Sequence, residues 1–189
     1  MQQVLVQLFK EWVDGPLARH AFTDPLRYAG LKNRACPYAS RNPYIKSEAD
    51  IQMKFGGYLA EHLPSGWSVH AGLNPYRGYP ALRSDLSVHL ASSTAFSQPN
   101  HNPVVDTVKV VIEVKYADSQ HPDWLFEKGR IRQDLEKLAC LPQGVERVFL
   151  LLDESLRIDA RHIQETLALA RQHSITILSN NEELMREAA

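Results

Sequence analysis

Apolar residues along the chain recur with two periods, and the change from one to the other outlines the fold. Val4, Leu5, Leu8, Phe9 and Trp12 follow three-and-four spacing, which predicts a short amphipathic helix stopped near Gly15 and Pro16. Ser47 is a suitable N-cap, and Ile51, Phe55, Leu59 and Leu63 form one helical stripe ending at Pro64. After Ser65 and Gly66 the period becomes two. Trp67 to Leu73 and Leu82 to Leu90 read as strands separated by the turn-rich Asn74–Pro80. In the second of these, Leu86, Val88 and Leu90 share one face and Asp85, Ser87 and His89 the other. Val108 to Tyr116 is the strongest predicted strand, rich in β-branched residues. Ile131, Leu135, Leu138 and Ala139 then mark a helix ending before Pro142 and Gly144. Val148 to Leu152 is a continuous apolar run, as expected of a buried central strand. A helix from about Asp159 to His173, a strand at Ile175–Leu178 and a helix at Glu182–Ala188 close the chain.

Helix, three strands, helix, strand, helix, strand is an α/β order. Its first part suggests an antiparallel meander, and its later alternation suggests right-handed crossovers into parallel pairing. The expected architecture is a central mixed β-sheet flanked by helices. Residues 1–46 are expected to form a helix followed by a basic, loop-rich extension, and residues 47–189 the α/β domain. Ala91–Pro103, rich in Ser, Thr, Asn and Pro, reads as a mobile loop.

Composition narrows the class. With 189 residues, 44% hydrophobic and 23% charged, the chain can build a proper core, which excludes collagen-like, disordered and disulfide-scaffold proteins. No run reaches the roughly 18 apolar residues of a membrane span, and Met1–Lys10 lacks the marks of a secretory signal. Cys36 and Cys140 lie far apart without metal-ligand spacing, so buried thiols in a reducing cytoplasm are expected. A net charge of −1 argues against a uniformly polyanion-binding surface, yet Pro25 to Lys46 carries Arg27, Lys32, Arg34, Arg41 and Lys46 with no acidic residue. Tyr28, Tyr38 and Tyr44 are interleaved with these charges, so the segment reads either as a solvated loop or as an arm contacting nucleic-acid phosphates.

The candidate chemistry lies on the strands. Glu113 and Lys115 are two apart and share one side of the sheet, while Ile112, Val114 and Tyr116 take the other. Such a pair needs a partner or a metal if the strand is buried; a strand with one face in water is the simpler explanation. Asp85, on the polar face of the preceding strand, shifts the balance, because neighbouring strands about 4.8 Å apart can bring two carboxylates onto one cation. An oxygen-rich site of this kind selects Mg²⁺ or Mn²⁺. Lys115 would stand beside it, placed to orient or deprotonate a water or to offset transition-state charge. Glu48, in the first turn of its helix, offers a third carboxylate, although acidic residues also favour that position for dipole reasons alone.

Glu48, then Ser84-Asp85, then Glu113-Val114-Lys115, on helix, strand and strand, resembles the PD-(D/E)xK nuclease superfamily with its restriction-endonuclease-like core. The resemblance covers roughly residues 47–178, with Ser84 where the namesake proline would stand. It implies a Mg²⁺-dependent endonuclease hydrolysing phosphodiester bonds of nucleic acid, with DNA the expected substrate. Asp85, Glu113 and the Val114 carbonyl would be the metal contacts, with Lys115 at the attacking water. On the following helix Gln133 is the best match for the polar residue that many members present to the site. A homodimer, which would place two sites on two strands, is a further expectation from the resemblance. The alternative is a catalytically inactive nucleic-acid-binding or assembly module on the same fold. His101-Asn102 and His121-Pro122 lack the hairpin-helix context of an HNH nuclease, and no Walker A, GxGxxG, GxSxG or HExxH string occurs.

Overall fold

In the computed structural model, which describes residues 1–17, 45, 47–76, 82–90, 107–117, 123–153 and 158–188, five strands form one mixed sheet. They are β1 (Trp67–Ala71), β2 (Leu86–Leu90), β3 (Val108–Ala117), β4 (Glu146–Asp153) and β5 (Ile175–Ser179), and they lie side by side in chain order. β1, β2 and β3 pair antiparallel, each strand beside the one that precedes it in the chain. β3, β4 and β5 pair parallel, because a helical crossover separates each from the next.

The helices are α1 (Gln2–Trp12), α2 (Glu48–His62), α3 (Trp124–Glu127), α4 (Arg130–Ala139), α5 (Ala160–Gln172) and α6 (Glu182–Ala188), with a π-helical turn over Val13–Leu17 that contains Pro16. They cover the sheet on both sides. α1 and α2 pack on the face formed by Val110, Ile112, Val114, Val148, Leu150 and Leu152. α4 and α5 pack on the opposite face, against Val111, Phe149, Leu151 and Ile177. Strand β3 is therefore buried on both sides, and the simpler explanation of Glu113, a strand face in water, does not hold: Glu113 is 1% exposed.

Helix α2 begins as its sequence predicts, with the Ser47 hydroxyl accepting from the Asp50 amide at 3.2 Å. Gly56 brings it close to the sheet: a Cβ there would stand 3.0 Å from Leu86 Cδ2. α1 joins the same core layer. Phe9, Trp12 and Phe55 form an aromatic trio with centroids 5.1–6.2 Å apart, and Phe9 meets Phe55 edge-on.

Several expectations shift. Val4 and Leu90 are exposed, although the hydrophobic pattern puts both on apolar faces. Val4 sits at the edge of the α1 face, and Leu90 ends its strand opposite Trp67 on the outermost strand. Ser87 and His89, on the polar face of β2, are buried. Cys140 is exposed, because it caps the end of α4 outside the Ile131–Leu135–Leu138 stripe; Cys36 lies outside the described residues. Most of the basic extension and the Ala91–Pro103 segment also lie outside them. No helix among the described residues is long and apolar enough to cross a membrane.

Candidate active site

Asp85 stands immediately before β2 and takes over where that strand's backbone stops pairing. The last β2–β3 partners at this end are Leu86 and Ile112. Beyond them the Asp85 carboxylate accepts from the Val114 amide at 2.7 Å, in place of a ladder carbonyl. Its other oxygen accepts from Gln52 Nε2 at 3.0 Å, one turn inside α2. One side chain thus joins β2, β3 and α2 at a single point.

Glu113 and Lys115 follow on β3. Glu113 Oε1 accepts from the Tyr76 hydroxyl at 2.6 Å, and Oε2 pairs with Lys137 Nζ at 2.7 Å. The Lys137 ammonium also lies 5.5 Å from the centroid of the Tyr76 ring. Lys115 Nζ reaches Asp134 Oδ2 at 2.8 Å, Glu48 Oε2 at 3.2 Å and the Val114 carbonyl at 3.0 Å. Its three ammonium protons thus face three oxygens.

Four carboxylates and two ammoniums crowd into a poorly solvated space, and the proton affinities respond. Burial, then the charge of Asp85, pushes the Glu113 carboxyl up to about 8, against the opposing pull of Lys137 and Tyr76. Burial also raises Glu48, partly offset by Lys115. For Lys115, burial favours the neutral amine, but Asp134, Glu48 and Asp85 together outweigh it and lift the ammonium above its ordinary value. Lys115 is therefore held as a proton donor and a positive charge by its acidic neighbours. Burial, then the charge of Glu113, raises the Tyr76 phenol strongly, so it too remains a donor.

Glu48, Asp85, Glu113, Lys115 and the Val114 carbonyl belong to this one network. Gln133 does not: it is exposed, nearly opposite the Ile131–Leu135–Leu138 face of α4. The residues that α4 does present are Asp134, beside that apolar face, and Lys137, three positions on, whose long stem reaches Glu113. The helical pattern carried this signal for Asp134, which flanks the stripe, but not for Lys137, which lies one turn from Gln133 on the same side of the helix. Tyr76 and Gln52 had no such signal; a loop contact and a helix contact to distant strands bring them in. Arg27, Lys32, Arg34, Arg41 and Lys46 lie outside the described residues. Among the described residues no group of three His, Cys, Asp or Glu side chains is arranged to hold a metal ion. The available donors, two carboxylates and a backbone carbonyl, are nevertheless all oxygen, the chemistry that suits Mg²⁺ or Mn²⁺. The raised Glu113 carboxyl beside Asp85 is the strain a cation would relieve.

A second polar cluster lies farther along β2. His89 hydrogen-bonds Thr107 Oγ1 and Ser87 Oγ, each at 2.9 Å, and its ring meets His70 edge-on with centroids 5.1 Å apart. Burial, then the charge of His70, lowers His89 from 6.5 to about 4. Between those values the unfolded chain binds a proton that the folded chain refuses, so stability falls as the pH drops through that window and is fully retained above 6.5. The loss reaches at most about 3 kcal/mol. Denaturant melts from pH 7 to 4 should show it, and His89→Gln should flatten the profile.

The chain matches no protein-family model, no curated protein and no solved structure.

Proposed function

We propose that this protein is a divalent-cation-dependent nuclease built on a restriction-endonuclease-like core, hydrolysing phosphodiester bonds of nucleic acid, with DNA the expected substrate. The observation that carries the reading is the meeting of Asp85, Glu113 and Lys115 where β2 and β3 part, with Glu48 entering from the first turn of α2. The sheet, antiparallel over β1–β3 and parallel over β3–β5 with helices on both faces, is compatible with that core.

Asp85, Glu113 and the Val114 carbonyl are the oxygens that would hold Mg²⁺ or Mn²⁺. When bound, the cation supplies Lewis-acid charge at the scissile phosphate. The chain's own part is electrostatic and positional. Lys115, kept protonated by its acidic neighbours, offers hydrogen bonds and positive charge to the incoming water and to the pentavalent transition state. Glu48, raised by burial and paired with that ammonium, is the adjacent acceptor for the water's proton. Asp85 ties the Val114 backbone in place, which fixes the carbonyl and both flanking side chains.

The test is nicking of a supercoiled plasmid with Mg²⁺ or Mn²⁺ against a chelated control, alongside single-stranded DNA and RNA. Cleavage only with the cation supports the reading, and no cleavage of any substrate overturns it. A non-catalytic nucleic-acid-binding module is the second reading, favoured by the complete internal pairing of Glu113 and Asp85. Both readings place phosphates against the basic segment. Neutralising Arg34 and Arg41 together should flatten the log–log salt dependence of duplex binding by close to two units, at about 0.9 per phosphate contact. An unchanged slope moves the nucleic-acid surface elsewhere.

A further inference from the structure

Lys137 is a charged residue of this network to which the nuclease chemistry above gives no part. It stands on α4, three positions after Asp134, and its side chain is mostly buried. Its ammonium sits 2.7 Å from one oxygen of Glu113, while the Tyr76 hydroxyl holds the other at 2.6 Å. A carboxylate so engaged has both oxygens committed. The neighbouring Asp85 is likewise committed to Val114 and Gln52.

Of the groups holding the two carboxylates, the Val114 amide is fixed in the backbone of β3. The Gln52 amide and the Tyr76 phenol are neutral. Lys137 alone combines a full positive charge with a long, flexible stem. A divalent cation and Lys137 would therefore compete for the same oxygen of Glu113 by the same electrostatics.

We propose that Lys137 is an internal stand-in cation for Glu113: it pairs with the carboxylate whenever Glu113 ionises in the metal-free protein and must withdraw before Glu113 can donate to a divalent ion. The proposal rests on the metal-dependent reading above and names how that site is kept closed. It predicts that metal affinity is limited by the cost of breaking the Lys137–Glu113 pair. Removing the competing ammonium should tighten binding, whereas removing a merely structural residue should leave it unchanged or weaken it.

The experiment is calorimetric titration of the full chain with Mn²⁺ and with Mg²⁺, for wild type, Lys137→Gln, Lys137→Arg and Asp85→Asn. Lys137→Gln keeps a hydrogen-bond donor for Glu113 and removes the charge, and it should lower the metal Kd about tenfold. Lys137→Arg retains the charge and should stay near wild type. Asp85→Asn should bind far more weakly. Equal or weaker binding by Lys137→Gln, in a protein that melts as wild type does, overturns the stand-in role while leaving the nuclease reading intact. If neither wild type nor Lys137→Gln binds metal, the nuclease reading falls and this proposal with it. Should Lys137→Gln fold poorly, the side-chain resonances of Lys137 in wild type, followed by NMR during Mg²⁺ titration, decide the matter. Withdrawal shifts them, and unmoved resonances under saturating Mg²⁺ overturn the proposal.

Discussion

Asp85→Asn, Glu113→Gln and Lys115→Ala each lower divalent-cation-dependent cleavage by about 10²–10³-fold, the cost typical of losing one preorganised electrostatic group. Asp85→Asn is the cleanest of the three. An asparagine oxygen can still accept from the Val114 amide, and a turned Gln52 amide can accept from the new NH2, so the junction of β2, β3 and α2 survives while the negative charge is lost. Lys115→Ala is less conservative, because it leaves the Asp134 and Glu48 carboxylates facing each other without a counter-charge. Lys115→Arg belongs beside it to separate charge from shape. Effects of the three should not add, since they act on one transition state. Wild-type cleavage by Asp85→Asn sinks the nuclease reading. Glu113→Gln carries a second signature that needs no substrate. Ionising Glu113 in the folded, metal-free protein is disfavoured, so this residue subtracts stability progressively as the pH rises from 4.5 toward 8. Thermal melts of the glutamine variant should lack that decline.

Trp12→Ala destabilises the whole domain by about 3–5 kcal/mol, the range for deleting a large buried aromatic. Trp12 is fully buried in the α1–α2 layer, 5.1 Å from Phe55 and 6.2 Å from Phe9. Its loss opens a cavity beneath the helix that carries Glu48 and Gln52. Trp12→Phe should cost far less, because the indole N–H finds no acceptor among the described residues and its removal relieves an unpaired donor. Chemical denaturation of both variants measures the difference. A loss below about 1 kcal/mol for Trp12→Ala would make α1 an appendage instead of a core element.

The element order was legible because periodicity is a local property. A stripe at three-and-four spacing can bury only as a helix, and alternation can bury only as a strand. The Ser47 cap and the apolar runs of β3 and β4 accordingly appear where the sequence puts them. Pairing followed from element order, since strands consecutive in the order suggest an antiparallel meander and strands separated by a helix suggest parallel crossovers. Of the candidate site, the residues legible from sequence were those whose places are set locally: Glu113, Val114 and Lys115 by strand alternation, Asp85 at the start of its strand and Glu48 in the first turn of its helix. Gln133 failed because a motif position on a helix says nothing of which way the helix is turned. The Ile131–Leu135–Leu138 stripe decides that, and it presents Asp134 and Lys137.

The sequence by itself determined the alternation of helices and strands, the apolar faces and the shared side of Glu113 and Lys115, all of which depend on residues a few positions apart. Only the tertiary structure decided that β3 is covered on both faces and that α1 belongs to the core. It also decided that Tyr76, 37 positions away, and Lys137, 24 positions away, occupy both oxygens of Glu113. Those contacts depend on how separate elements dock, and docking is set by the summed burial of many apolar side chains. A polar residue carried along by its element is brought to its partner by packing to which it contributes little.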